Sequence, residues 1–309
     1  MSSSNASARR GLLLATLLPA LGACDSLGLS QSFQIDRLRI LAIAAEPAEP
    51  QPGDTVSFTS LVVSPVATVG LTTWFACDIS DGYGCTLDTE LLSSLTGDTS
   101  NLTPDELAAL FAQLQEAGMI GVQPYFEPSW TVPDDYLDAL TDDQKLEGTT
   151  AIVTVSAIPT VEGDSGTLDT AVEDVEVAYK RVPVSLATTP NRNPLVTGLT
   201  IDGVAITPGA TVTLTRGQTY AIECELADDA IEDYTFVDDA GVAETRTEEP
   251  YFAWYLQEGS FDQSNTLWPY HAVEYTAPSD ATMTEQSLWV VVRDRRGGMG
   301  WIEQKLILQ

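Results

Sequence analysis

His271 is the one histidine of the chain, so a Ser-His-Asp or Cys-His nucleophilic site would have to be built on it. It stands in Trp268-Pro269-Tyr270-His271, and no Gly-x-Ser-x-Gly turn accompanies it. The ring therefore reads as a stacked or surface group, not as a general base. Zinc needs clustered Cys and His ligands, which one His and the dispersed Cys77, Cys85 and Cys224 do not supply. Paired carboxylates suit glycoside hydrolysis, but a chain with 45 Asp and Glu offers many pairs by chance. No catalytic residue is assigned, and no enzyme is expected.

Binding chemistry has better candidates. Asp228, Asp229, Glu232 and Asp233, followed by Asp238 and Asp239, concentrate carboxylates in one stretch. Hard cations take six to eight oxygen ligands, so Asp228, Asp229 and Asp233 are the candidates for a structural calcium, although the spacing fits no EF-hand. A solvated acidic loop is the plainer reading, and no other cofactor is expected. In Tyr251-Phe252-Ala253-Trp254-Tyr255-Leu256, alternation puts Phe252, Trp254 and Leu256 on one face and Tyr251 and Tyr255 on the other. With Trp268 and Tyr270 from a nearby loop, the two tyrosines form a candidate surface for sugars or a protein partner. The alternative is that these rings pack against a neighbouring domain or cover a sheet edge.

The cysteines carry the remaining chemistry. Arg9-Arg10 precede the apolar run from Gly11 to Ala20, and Leu21-Gly22-Ala23-Cys24 follows. A positive n-region, a short apolar h-region and small residues before a cut are the parts of a secretory leader. The run meets Pro19 and then Asp25, so it is too short for a spanning helix. Leu-Gly-Ala-Cys resembles the lipobox of bacterial membrane lipoproteins. The resemblance covers residues 1–25 and implies a signal peptide over residues 1–23, diacylglycerol on the Cys24 sulfur, cleavage before it and acylation (palmitate or similar) of the new amino group. More than one chain matters, because a single acyl chain holds a protein only marginally. Arg9-Arg10-Gly11-Leu12-Leu13 partly resembles a twin-arginine signal, and Asp25 resembles an inner-membrane retention signal. Export route and choice of inner or outer membrane stay open. The expected place is the bacterial cell envelope, lipid-anchored and facing the periplasm or the exterior.

An exported chain meets an oxidising compartment. Cys77 and Cys85 bracket a turn-rich loop, and a bridge between them would stabilise the fold by about 2.5 kcal/mol. Cys224 alternates with Tyr220 and Ile222 and reads as a buried free thiol, with a bridge to another cysteine as the alternative.

The 309 residues suffice for about two domains after a leader, and 44% hydrophobic residues can build real cores. Fourteen Lys and Arg against 45 Asp and Glu give a formal charge of −31. Such a surface excludes nucleic acid as a partner, since binding it rests on cations neutralising phosphates. It would also be repelled by anionic headgroups, which leaves the membrane bond to the acyl chains alone. The expected partners are therefore the membrane and an envelope protein or glycan.

The positioning elements repeat. A tether over residues 24–35 precedes strands at Leu38–Ile43, Thr55–Val63 and Leu71–Cys77, the last carrying Trp74. Thr103-Pro104-Asp105-Glu106 is a capping box, continued by Leu107, Leu110, Phe111 and Leu114 and stopped by Gly118. A second short helix is expected from Pro133, with a Pro-rich loop over Val122–Trp130 between the two. Strands resume at Thr150–Ile158 and Val175–Val184. After a linker at residues 188–194, Arg216–Cys224 echoes Pro52–Ser60, Ala253-Trp254-Tyr255 echoes Thr73-Trp74-Phe75, and Leu288–Arg293 with Trp301–Leu308 closes the chain around a hairpin turn at Asp294–Gly298. The pattern predicts a mostly β protein of two tandem β-sandwiches, residues 36–187 with a small helical insertion over about residues 88–147, and residues 195–309. They resemble the immunoglobulin-like modules of envelope lipoproteins. That resemblance implies adhesion, scaffolding or ligand presentation, and names no ligand.

Overall fold

Alternating runs pair as their two faces require, and the pairing defines the fold. A computed structural model describes residues 32–65, 68–77, 103–161, 164–169, 171, 174–237 and 241–309. The expected leader, Cys24 and Cys85 lie outside the described residues, as do Asp238 and Asp239. The bridge expected between Cys77 and Cys85 therefore lies outside them too. Residues Phe33–Gln309 form one compact unit.

In the first half, β1 (Arg39–Glu46), β2 (Thr55–Val63), β3 (Val69–Cys77), β4 (Met119–Gln123), β5 (Ser129–Thr131), β6 (Thr149–Val161), β7 (Asp164–Leu168) and β8 (Glu176–Val184) follow in order. They make two sheets, β1-β2-β5 and β4-β3-β6-β7, with β8 also paired to β6. Antiparallel alternation turns Val56 and Phe58 of β2 towards Trp74, Val153 and Val155, and this apolar layer is the first core. Helix α1 (Pro104–Glu116) starts as expected. Thr103 Oγ1 accepts from the Glu106 amide at 3.3 Å, and Glu106 accepts in return from the Thr103 amide at 2.8 Å.

Two details between residues 88 and 147 differ from expectation. Residues 133–140 form successive tight turns, with Tyr136 N bonded to Pro133 O at 3.1 Å and Leu140 N to Leu137 O at 3.0 Å. The second helix, α2 (Asp142–Glu147), begins later because Thr141 and Gln144 make a capping box of their own. The expected loop over Val122–Trp130 has strand at both ends. β4 extends one sheet through β3 and β5 extends the other through β2, so the helical segment is woven into both sheets.

The second half holds β9 (Val196–Ile201), β10 (Val204–Ile206), β11 (Val212–Leu214), β12 (Thr219–Leu226), β13 (Asp233–Val237), β14 (Ala243–Thr247), β15 (Tyr251–Leu256), β16 (Ser260–Phe261), β17 (Asn265–Leu267), β18 (Val273–Thr276), β19 (Glu285–Arg293) and β20 (Met299–Leu308). One sheet is ordered β10-β9-β12-β18-β16 and the other β11-β20-β19-β15-β17. They enclose Cys224, Phe252, Trp254, Tyr275 and Val290 in the second core. Taking β9, β12, β15, β18, β19 and β20 as strands A, B, C, E, F and G, this is the A-B-E against G-F-C arrangement of immunoglobulin-like sandwiches. β11 pairs in parallel with β20 and adds to the G edge. The first half repeats the order as β1-β2-β5 against β8-β6-β3-β4. Trp74 and Trp254 occupy the same place on strand C, and both are 0% exposed. The fold is a mostly β one of immunoglobulin-like sandwich topology.

A third cluster joins the halves: Leu41, Ala42 and Val63 pack on Trp289 and Val291, with Tyr255 and Trp301 against them. Strand β1 is thus buried on both faces, which is why its alternation is blurred. Arg293 Nη2 donates to Leu41 O at 2.8 Å across this contact. The last residues of the expected tether dock as well, since Ile35 N donates to Leu256 O at 2.8 Å and Phe33 meets Phe261 edge-on.

Candidate functional site

The residues singled out by sequence scatter over three places. Tyr255 faces the junction cluster between the halves. Tyr251 lies under the Arg293 guanidinium, whose carbon is 5.4 Å from the ring centroid. Trp268 and Tyr270 sit together on the loop after β17, 36% and 87% exposed. The four therefore do not share one open face. Among the calcium candidates, Asp229 pairs with Arg192 at 3.1 Å and Asp233 accepts from Thr247 Oγ1 at 2.5 Å, while Asp228 is exposed. The stretch continues into a β13–β14 hairpin, held by alternating Tyr234 and Phe236 with Arg246 over the Phe236 ring at 3.4 Å. Among the described residues, no three His, Cys, Asp or Glu side chains converge to hold a metal. Cys224 is a buried free thiol as expected, and burial pushes it up to about 12.

The structure gathers charged residues that no local pattern groups. The hairpin between β19 and β20 folds around the Asp294 carboxylate, which accepts from the amides of Arg296 at 2.7 Å and of Gly297 and Gly298 at 2.9 Å. A Cβ on Gly298 would collide with that carboxylate and, at 2.6 Å, with the backbone oxygen of Arg192, so glycine is required there. This turn aims Arg296 inward. Its Nη1 donates to Glu248 Oε1 at 3.0 Å and lies 3.5 Å from Glu232, while Nη2 is 3.6 Å from Glu49 of the first half. Glu49 is held in turn by the Ser185 hydroxyl and the Asn191 amide, both at 2.6 Å. Asn191 Nδ2 donates to Asp294 at 2.7 Å, and Arg192 bonds Glu232 and Asp229. The linker expected at residues 188–194 is thus threaded through a buried ionic network.

Burial sets the electrostatics of this network. Desolvation holds the carboxyls of Glu248 and Asp294 above the usual range despite their donors. Lys180, which donates to Gly297 O, is lowered to about 8 by desolvation, with Asp294 opposing. Both oxygens of Glu248 and both of Asp294 are already engaged, by Arg296 and Glu232 N in the first case and by hairpin amides and Asn191 in the second. The arrangement braces the two halves against each other. Breaking such a pair leaves a buried charge unpaired.

Beside the network opens a cleft of about 720 Å³, walled by the β13–β14 hairpin, the loop carrying Trp268-Pro269 and the Asp294–Arg296 turn. That volume is in the range of small-ligand sites. His271 is the middle ring of a stack that leads into it. Phe252 lies 4.6 Å away on one side at 19°, and Trp268 lies 4.9 Å away on the other at 24°. The imidazole edge is lined by oxygens, with Nε2 3.0 Å from Cys224 O and 3.4 Å from Glu223 and Nδ1 3.1 Å from Pro269 O. Trp268 is therefore a preset ring, backed by the core. Across the cleft Arg295 Nη1 stands 3.6 Å from Glu249, and Arg246 pairs with Glu244. Sequence reading missed Glu49, Asn191, Arg192, Glu248, Asp294, Arg295 and Arg296. The available signal was the scarcity of cations: a chain with only 14 Lys and Arg spends Arg192, Arg246, Arg295 and Arg296 here.

No family model matches the sequence, and no curated protein matches it. Solved structures do. Murine CEACAM1b is similar at 9% identity over 88% of this chain and 100% of that one, with a TM-score of 0.21. Three N-terminal domains of the bacteriophage RB49 Hoc protein are similar at 11% identity over 88% of this chain and 70% of that one, with a TM-score of 0.23. The two tandem V-type regions of VCBP3 are similar at 12% identity over 88% and 100%, with a TM-score of 0.27. At such scores the fold assignment rests on the strand order itself.

Proposed function

We propose that this chain is a bacterial membrane lipoprotein whose body is a non-enzymatic interaction or structural module of the cell envelope. In this reading Cys24 carries the acyl chains, a short tether leads to Phe33, and two immunoglobulin-like sandwiches face the periplasm or the exterior. The observation that carries the body's role is the Arg296–Glu49 junction. It helps tie the two sandwiches into one compact unit that carries the cleft beside Arg296. The single histidine supports a binding role, because both faces of its ring are occupied in building the cleft wall. The lipobox supports the anchor.

Intact-mass spectrometry of the protein from its native membrane fraction, with and without reductant, tests the reading. An N-terminus at Cys24 with acyl mass is the expected result, and reduction should add two protons for one bridge. Cys24→Ser should move the protein to the soluble extract. An unmodified full-length chain that stays in the cytoplasm overturns the envelope assignment.

A further inference from the structure

We propose that the cleft between the β13–β14 hairpin, Trp268 and the Asp294–Arg296 turn binds a ring of a neutral oligosaccharide, with Trp268 as its stacking platform. The inference rests on the interaction-module reading and names the ligand class of that site. One face of the Trp268 ring is taken by His271, and the residue keeps 36% of its surface open. A ligand ring laid on that open surface would become the fourth member of a stack that already runs from Phe252 through His271 to Trp268. Because the stack is fixed before binding, little side-chain entropy is lost when a ligand arrives.

The walls favour hydroxyls over other partners. A protein anchor wants an apolar pocket to fill, whereas this cleft presents Arg246, Arg295 and Glu249, planar groups with donors and acceptors side by side. Arg295 is already opposed by Glu249 and Arg246 by Glu244, so the cleft carries no surplus of positive charge for an anion. The chain as a whole bears −31, which repels polyanionic glycans. A neutral sugar pays neither penalty, and its hydroxyls can join donors and acceptors that are already paired. Tyr270, 87% exposed, lies beside the platform and can cover a second ring.

The test uses the full mature protein in detergent on an array of neutral hexose and N-acetylhexosamine oligomers, with titration calorimetry on the oligomer retained. Capture of at least one is expected. Trp268→Ala should weaken it at least tenfold, and Arg295→Gly three- to tenfold. The glycine suits the positive φ of 73° at that position, so it removes the guanidinium without straining the turn. Tyr179→Ala, an exposed ring on the first half, should bind as the parent does. Absence of capture overturns the proposal, as does capture that neither cleft variant weakens. Intact mass on the same sample separates the two levels: acylated Cys24 without glycan binding removes the ligand alone, and an unmodified chain removes the envelope reading beneath it.

Discussion

Arg296 Nη1 donates to Glu248 Oε1 at 3.0 Å, and the Glu248 side chain is only 1% exposed. The same guanidinium stands over the Tyr234 ring, 4.5 Å from its centroid, and reaches Glu49 from the other half of the molecule. One cation thus serves three carboxylates that come from the turn after β1, the loop before β13 and the loop before β15.

Removing that cation should cost far more than an exposed pair would. Arg296→Met leaves Glu49, Glu232 and Glu248 without their shared partner, and breaking a buried pair from one side costs about 3–5 kcal/mol. Urea denaturation followed by tryptophan fluorescence should show the loss. Arg296→Lys should recover only part of it, because an ammonium cannot address the carboxylates through a planar fork. A variant as stable as the parent would mean that the other contacts between the halves, the Leu41–Trp289 packing and the Arg293–Leu41 and Lys180–Gly297 hydrogen bonds among them, hold them together without it.

Lys180 makes stability depend on pH in an unusual direction. Its ammonium titrates at about 8 in the fold against an ordinary 10.5, because burial penalises the charge. Between those values the folded chain binds fewer protons than the unfolded one, so stability rises with pH. Cys224 and Tyr275 act the other way. Burial raises both to about 12, from 9.0 and 10.0, so their share of stability is lost as pH climbs above their ordinary values. Stability should therefore gain about 0.8 kcal/mol from pH 7.5 to 9, because Lys180 contributes roughly 0.9 of a pKa unit and Cys224 takes back roughly 0.3 at 1.36 kcal/mol per unit, and should turn downward between about pH 9 and 10. Denaturation midpoints across this range should show the rise in the parent and none in Lys180→Met.

Much of this fold was legible because its long strands alternate. Thr55–Val63 is β2 to the residue, and the inward triplet Phe252, Trp254 and Leu256 is fully buried. The Thr103 capping box is local chemistry and was readable for that reason. β4 and β5 were not, since five and three residues are too few to show a period. β14, Ala-Glu-Thr-Arg-Thr, is exposed throughout and has no apolar face to read. Alternation put Tyr255 on the outer face of β15 correctly, but whether that face meets solvent or another sheet depends on the third cluster, which no local pattern encodes. The ionic network is harder still. Glu49, Arg192, Glu248 and Arg296 are far apart in sequence, and in so acidic a chain no single carboxylate marks itself as the buried one.

Cys224 should be chemically silent in the folded protein. The thiolate is the reactive form, and burial raises this thiol to about 12 while leaving it 1% exposed. At pH 8 iodoacetamide should leave the Cys224 peptide unlabelled for as long as the chain stays folded. In denaturant the same peptide should label at the rate of a model thiol. Rapid labelling of the native protein would show that β12 opens locally, and would weaken the backing of His271, whose Nε2 faces the Cys224 carbonyl.

Calcium should leave the melting temperature where it is. A ligand at one hundred times its Kd adds about 2.7 kcal/mol to the folded state, so a site with a Kd near 10 μM would be plain at millimolar calcium. Of the three candidate carboxylates, Asp229 is engaged by Arg192 and Asp233 by the Thr247 hydroxyl, and among the described residues no three acidic, His or Cys side chains converge on Asp228. Six to eight oxygens are needed, and surrendering the Arg192 pair to a cation would also loosen Glu232 from the junction. Thermal unfolding with chelator and with added calcium should therefore superimpose. A clear upward shift with calcium would place a cation at this loop and require Arg192 to move aside, which the Arg192→Ala variant would reveal as tighter calcium binding.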